Sequence, residues 1–147
     1  MEEFMLNFKF DWDPRLELNI PPLDEHHQHF FKLGRHNEQL LLIQCAGVTN
    51  KDLFNLLYEL RDYVTYHFYE EEKIMKEINF PEFDQHRLEH QKFLTCINRI
   101  DYDKLCANPC DELKKLKDDM TDWSFTHIVQ QDQKLISYYN ATIACSK

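Results

Sequence analysis

Seven residues of the kinds that bind metal ions recur along this chain at positions where the sequence otherwise places apolar side chains. Histidine nitrogens and carboxylate oxygens are both common metal ligands. Two residues that are four apart lie on the same face of a helix, so both can reach one metal or a metal pair, and His67 with Glu71 and His86 with His90 have this spacing. The candidates are His27, His67, Glu71, His86, His90, His127 and Asp132. Their spacing predicts a histidine-rich metal centre inside a helical protein.

Two interpretations of these inward polar groups are open. Each could be an ordinary core residue whose hydrogen bonds are satisfied by its neighbours. Burying seven polar side chains in this way is costly, because each buried polar group without a hydrogen-bond partner costs roughly 1–3 kcal/mol and a buried carboxylate costs more. Five imidazoles and two carboxylates also exceed the four ligands of a structural zinc, which indicates two metals. Bridging carboxylates in a helical bundle favour iron or manganese, and the absence of any Glu-x-x-His sequence disfavours a carboxylate-rich, ferritin-like site.

The elements that must position these residues are helices. Apolar residues alternate at three- and four-residue spacing, as in Leu53, Leu57, Leu60 and Val64, which lead directly to His67. This pattern predicts helices over about 22–44, 50–78, 83–100 and 109–143, with a loop around 101–108. We expect a single all-α domain over 1–147. Its fold would be an antiparallel up-down four-helix bundle, with an extended N-terminal arm over 1–21 and a short C-terminal helical extension.

The last two candidate ligands are five residues apart, which a regular helix does not place on one face. At about 100° per residue, His127 and Asp132 would lie roughly 140° apart. Either the aspartate reaches sideways or the helix widens locally into a π-type turn, a feature that is frequent at functional sites.

Composition excludes several other functions. Acidic residues outnumber basic ones by 26 to 17, and the resulting net charge of −9 repels nucleic acids and anionic membranes. Two glycines are too few for the loops of nucleotide-binding sites. The longest apolar cluster, Leu40 to Ile43, is far too short to cross a membrane, and the acidic N-terminus does not resemble a secretory signal. We therefore expect a cytoplasmic protein with no nucleic-acid or membrane partner.

The five cysteines are odd in number and form no Cys-x-x-Cys pair, which argues against a disulfide framework and a zinc ribbon. We expect them to be reduced and unrelated to function. The alternative is that Cys106 and Cys110, the first and last residues of the segment CANPC, form a redox pair or bind a metal incidentally.

Several motifs, spread over nearly the whole chain, together resemble the hemerythrin family, and in particular its single-domain bacterial members. They are FDW near the start, then LDEHH, HFYEEEKIM, HRLEH and WSFTHIVQQD on successive predicted helices. The resemblance implies a non-haem di-iron centre in which two irons share an oxo or hydroxo bridge. His86, His90 and His127 would hold one iron, and His27 and His67 the other. Glu71 and Asp132 would bridge both.

The resemblance also implies a function. The iron with fewer histidines would keep an open position that binds O₂ reversibly, so the protein would be a carrier, store or delivery protein rather than an enzyme. The alternatives are a sensor of O₂, redox state or iron, a di-iron reductase of peroxide, nitric oxide or nitrite, and a purely structural role for the metals. O₂ is the expected partner, other small diatomic or anionic ligands are conceivable, and the oligomeric state is open.

The expected O₂ pocket consists of Phe68, Trp123, Ser124 and Ile128, each of which could equally be a plain core residue. The family usually has leucine where this chain has Ser124. A hydroxyl there could donate a hydrogen bond to the bound ligand or admit water, and either should hasten loss of the oxygenated state. The alternative is that Ser124 points elsewhere. The family also usually has glutamine at the position of His26, which lies about 100° around the helix from His27 and is not expected to be a ligand.

Overall fold

The structure is a computed structural model that describes residues 10–12, 16 and 20–145. These residues form an all-helical bundle, which confirms the predicted fold class. Most of the predicted N-terminal arm lies outside the described residues. The helices are α1 (Pro21–Leu42), α2 (Asn50–Glu77), α3 (Phe83–Asn98), α4 (Tyr102–Ala107), α5 (Pro109–Trp123), a π-helical segment (Ser124–Gln131) and α6 (Asp132–Cys145). The last three follow one another without a break and together form the fourth long helix of the bundle.

The ends of the long helices follow from local chemistry. Thr49 caps α2: the Asp52 amide donates to the Thr49 hydroxyl over 3.1 Å, and the Thr49 amide donates to the Asp52 carboxylate over 3.0 Å. Proline stands in the first turn of both α1 and α5, where its missing amide hydrogen is not needed.

One prediction about the connections was wrong. The segment expected to be a loop contains the six-residue helix α4, whose start is capped by the Asp101 carboxylate, which accepts from the amides of Asp103 and Lys104. So short a helix has too few residues to show apolar periodicity, and its capping aspartate is the only local signal.

The core lies where the four long helices meet. α1 packs against α2 and α5, and α2 packs against α3. Leu60, Val64, Ile97 and Leu113 are fully buried there. Aromatic rings extend the core towards the candidate ligands, and the Trp123 ring stacks on Phe93 with the ring centres 4.4 Å apart. The ligands therefore lie inside a well-packed interior, in which a second buried cluster of Met75, Phe80 and Leu135 contacts them through Phe80 and His86.

The chain before α1 is anchored by Phe10. Its ring packs edge-on against Phe31 at 5.7 Å, and its amide donates to the buried Glu38 carboxylate over 2.9 Å. The ring also lies directly against Gly34, where a Cβ atom would overlap it. Gly34 is therefore needed for this close approach.

Gly34→Ala is expected to lower the free energy of unfolding by about 1–2 kcal/mol, because the overlap with Phe10 outweighs the roughly 1 kcal/mol by which alanine favours a helix. Urea denaturation measures the change. In a Phe10→Ala background the overlap is absent, so the same substitution should stabilise the protein. If Gly34→Ala destabilises both backgrounds equally, Phe10 is not the cause.

The prediction that all the cysteines are reduced was wrong for two of them. Cys45, in the turn after α1, forms a disulfide with Cys110 in the first turn of α5, and their Cα atoms are 6.0 Å apart. Cys110 is therefore not paired with Cys106, which is free, as is Cys96. The odd number of cysteines and the absence of a Cys-x-x-Cys motif could not reveal a bond between cysteines that are 65 residues apart in sequence. The two cysteines meet only because α1 ends beside the start of α5.

Candidate metal centre

The structure brings all seven candidate ligands together in the interior of the bundle. α1 supplies His27, α2 supplies His67 and Glu71, α3 supplies His86 and His90, the π-helical segment supplies His127, and α6 begins with Asp132. All seven are buried. Their ligand atoms form two sets, each with its atoms within 4.8 Å of one another. The three-histidine set is Glu71, His86, His90 and His127, and the two-histidine set is His27, His67, Glu71 and Asp132.

Glu71 belongs to both sets and directs one oxygen into each. Its Oε1 lies 3.1 Å from Nε2 of His90 and 3.4 Å from Nε2 of His127, and it also contacts His86. Its Oε2 lies 3.2 Å from Nε2 of His67. The carboxylate therefore stands between the two sets.

Asp132 does the same from the opposite helix. Its Oδ1 lies 3.2 Å from Nε2 of both His86 and His127. Its Oδ2 lies 3.0 Å from Nε2 of His27. Two carboxylates that each present one oxygen to each of two neighbouring histidine sets have the arrangement of ligands that bridge a pair of metals.

The π-helical segment makes this position of Asp132 possible. The Asp132 amide donates to the carbonyl oxygen of His127, five residues earlier, instead of four as in an α-helix. This hydrogen-bond pattern brings residues five apart onto the same side of the helix. Of the two alternatives that the sequence left open, a sideways reach of the aspartate and a local widening of the helix, the structure shows the widening.

Several buried polar atoms at the centre have no hydrogen-bond partner among the described residues. They include Nε2 of His27 and of His67, Oε2 of Glu71 and both carboxylate oxygens of Asp132. Nε2 of His27 is only 3.0 Å from Asp132 Oδ2, yet the two atoms do not meet at a hydrogen-bonding angle. Atoms that crowd together without facing one another as donor and acceptor are suited to a shared cation, so the residues fit a metal pair.

The electrostatics favour a cation as well. Burial lowers the pKa of His67 to about 4, which keeps this ring neutral and its lone pair available. Burial also lowers the pKa of His86, but the nearby Asp132 and Glu71 carboxylates outweigh it and raise that pKa to about 9. Burial raises the pKa of Glu71, and yet the neighbouring imidazoles hold it well below its usual range. Burial likewise raises the pKa of Asp132, but His127 keeps it below its usual range. Both carboxylates are therefore anionic at neutral pH.

Three further residues contact the outer nitrogens of the histidines, and none of them was predicted. Nδ1 of His90 lies 3.0 Å from a Glu72 oxygen, and Nδ1 of His127 lies 3.1 Å from a Glu89 oxygen. Nδ1 of His67 lies 3.0 Å from Nδ1 of His26. The helical phase of His26 correctly kept it out of the two ligand sets, but the ring packs sideways against a ligand. Glu72 and Glu89 each adjoin a candidate ligand in the sequence, which is the one signal that could have found them.

Aromatic rings cover the centre. Phe68 stacks on His90 with ring centres 4.0 Å apart, and Trp123 stacks on His127 at 3.9 Å. Ser124 and Ile128 are both buried. The expected pocket residues Phe68 and Trp123 thus lie mainly against the three-histidine set. Tyr63, which the sequence did not single out, stacks on His67 of the other set at 5.4 Å.

The fold and this site define a class of protein: helical bundles with a buried pair of histidine sites joined by two carboxylates. A family model described as the hemerythrin HHE cation binding domain matches residues 19–139. The chain therefore belongs to the hemerythrin family, as its motifs predicted.

Individual relatives agree with this assignment. A bacteriohemerythrin of Campylobacter jejuni is 30% identical over 125 residues, which cover 84% of this chain and 90% of that protein. A bacteriohemerythrin of Clostridium acetobutylicum is 24% identical over 127 residues, which cover 86% of this chain and 98% of that protein. No solved structure matches the chain significantly. Among the described residues, no helix is long and apolar enough to cross a membrane.

Proposed function

We propose that the protein is a non-haem di-iron protein that binds O₂ reversibly and acts as a carrier, store or delivery protein in the cytoplasm. The observation that carries the proposal is the pair of carboxylates, Glu71 and Asp132, that each direct one oxygen into each histidine set. His86, His90 and His127 would hold one iron. His27 and His67 would hold the other.

The unequal numbers of histidines support ligand binding rather than a purely structural site. His86, His90 and His127 would hold one iron together with both carboxylates and a solvent-derived group. His27 and His67 would hold the other with the same carboxylates, so that this iron would have one ligand fewer and could bind a small molecule. When bound, the iron pair supplies two electrons that O₂ can take up and return.

The chain itself contributes a dry environment. The Phe68 and Trp123 rings stack on His90 and His127 of the three-histidine set, beside the buried Ile128. The buried Tyr63 ring stacks on His67 of the set that is expected to bind the ligand. Apolar walls exclude water and deny stray protons to a bound ligand, which favours release of O₂ over its reduction. The buried anionic carboxylates and neutral His67 would hold the metals.

The test is the ultraviolet–visible spectrum of the iron-loaded protein, reduced without air and then exposed to O₂. Reversible binding predicts a visible absorption band that appears with O₂ and disappears when O₂ is removed. Immediate conversion to the oxidised form, with no reversible band, would contradict a carrier and favour sensing or reduction. A protein that takes up no iron would refute the di-iron proposal itself.

Ser124→Leu is expected to lengthen the life of the oxygenated form several-fold. Ser124 is buried in the first turn of the π-helical segment, and leucine would replace its hydroxyl with an apolar group that neither donates a hydrogen bond nor holds water. Stopped-flow absorbance measures the decay. Ser137→Leu, on the exposed face of α6, serves as the control. An unchanged or shorter lifetime in Ser124→Leu would contradict a role for the hydroxyl.

A further inference from the structure

The partners of the outer histidine nitrogens differ between the two ligand sets. In the three-histidine set, Glu72 and Glu89 contact Nδ1 of His90 and of His127. In the two-histidine set, a neutral side chain, His26, contacts Nδ1 of His67. The carboxylate contacts therefore fall on one set.

This difference matters for the strength of the ligands. An imidazole that binds metal through Nε2 carries its proton on Nδ1, from which it donates to the outer partner. A carboxylate partner draws on that proton, so the ring becomes a stronger donor to the metal, and it also fixes the ring's orientation. A neutral imidazole partner fixes the orientation but adds no charge.

Resting on the di-iron function proposed above, we propose that Glu72 and Glu89 are positioning residues that make the three-histidine set the tighter metal site. His26 orients His67 without charge and leaves the two-histidine set the weaker one. The metal in the three-histidine set then enters first and is held more firmly. The weaker set is the one in which a ligand position is expected to be open.

The two glutamates are not equivalent. Nε of Arg87 lies 3.6 Å from the second oxygen of Glu72, and this arginine is half-exposed. Its positive charge offsets part of the negative charge that Glu72 presents to His90. Glu89, which lies 3.1 Å from Nδ1 of His127, shares its charge with no such arginine among the described contacts, so we expect it to have the stronger effect. Both glutamate side chains are about a quarter exposed, so each can be replaced by glutamine without opening a cavity in the core.

Replacing either glutamate by glutamine tests the effect of its charge alone, because glutamine has the same length and keeps an acceptor oxygen but carries no negative charge. Titration of the metal-free protein with cobalt(II) gives the dissociation constants of the two sites. Glu89→Gln is expected to weaken the tighter site by about 10-fold, Glu72→Gln by less, and the double variant by up to about 100-fold. The weaker site should not change.

A glutamate elsewhere on α2 provides the matched control. Glu77→Gln removes one negative charge from the exposed end of α2, away from the histidines, and should bind both cobalt ions as the parent does. If the glutamate variants bind both cobalt ions as tightly as the parent, or if Glu77→Gln weakens binding as much as they do, the inference is wrong.

Proton NMR of the cobalt-loaded protein assigns the effect to particular rings. Each ligating imidazole with a protonated Nδ1 gives one strongly shifted, solvent-exchangeable signal. Glu72→Gln and Glu89→Gln should each move one signal and speed its exchange, and the two signals should differ. Parent protein that binds fewer than two cobalt ions would refute the dinuclear function. Two bound ions with unmoved signals in both variants would overturn only the role of the glutamates.

Discussion

Glu71→Ala is expected to lower the iron content of the reconstituted protein from two ions per chain to less than one. Glu71 directs Oε1 into the three-histidine set and Oε2 into the two-histidine set, so its removal takes a ligand and an anionic charge from both at once. The histidines left behind would repel each other when protonated. Colorimetric iron analysis after reconstitution without air measures the content.

His27→Ala, which removes a ligand from one set only, is the variant to compare with Glu71→Ala. Nε2 of His27 lies near Asp132 Oδ2 and belongs to the two-histidine set alone, so its loss should leave one iron bound. His36→Ala, on the exposed face of α1, should keep two. Circular dichroism checks that each variant is folded. One firmly held iron in folded Glu71→Ala, as in His27→Ala, would show that Glu71 serves one metal only.

The positions of the seven residues could be predicted because a helix converts spacing into direction. Leu57, Leu60 and Val64 define the buried face of α2, and His67 and Glu71 continue it, so the inward direction of the last two follows from the first three. The step from His127 to Asp132 broke that regularity. This five-residue step showed that either the aspartate or the helix must depart from regular geometry, but it did not decide between a sideways reach and the π-helical segment that the structure shows.

The outer partners could not be predicted in this way. Glu72 and Glu89 lie beside the inward positions, where periodicity indicates partial exposure, and both side chains are indeed partly exposed. Glu72 on α2 reaches His90 on α3, and Glu89 on α3 reaches His127 on the π-helical segment. Both contacts are possible because the glutamate side chain is long enough to cross from one helix to its neighbour. Such contacts depend on how far apart the helices pack, which a residue's own helical phase does not contain.

The disulfide escaped prediction for a related reason. Cys45 lies in a turn in which it and Gln44 both have positive φ, at 59° and 55°. Cys110 directly follows Pro109 in the first turn of α5. Neither position is marked by periodicity. Only the tertiary arrangement, in which the end of α1 meets the start of α5, makes the two sulfur atoms neighbours.

Reduction of the disulfide is expected to lower the free energy of unfolding by about 4 kcal/mol. The bond joins residues 65 apart, and in the chain-entropy account a loop of that size strongly restricts the unfolded chain. Urea denaturation with and without dithiothreitol measures the difference. The Cys45→Ser/Cys110→Ser variant should match the reduced protein and lose its response to the reductant, whereas Cys96→Ser should keep it.

Metal binding should be insensitive to the same change. His27 and Leu42, at the end of α1 next to the disulfide turn, are fifteen residues apart, roughly 22 Å along the helix. Reduction should therefore leave the iron content at two per chain while the protein becomes easier to unfold. Thiol titration of the denatured protein should find two more thiols after reduction than before. An equal number, or a denaturation curve that dithiothreitol does not move, would contradict a stabilising disulfide, and a parallel loss of iron would mean that the two ends of the bundle are coupled.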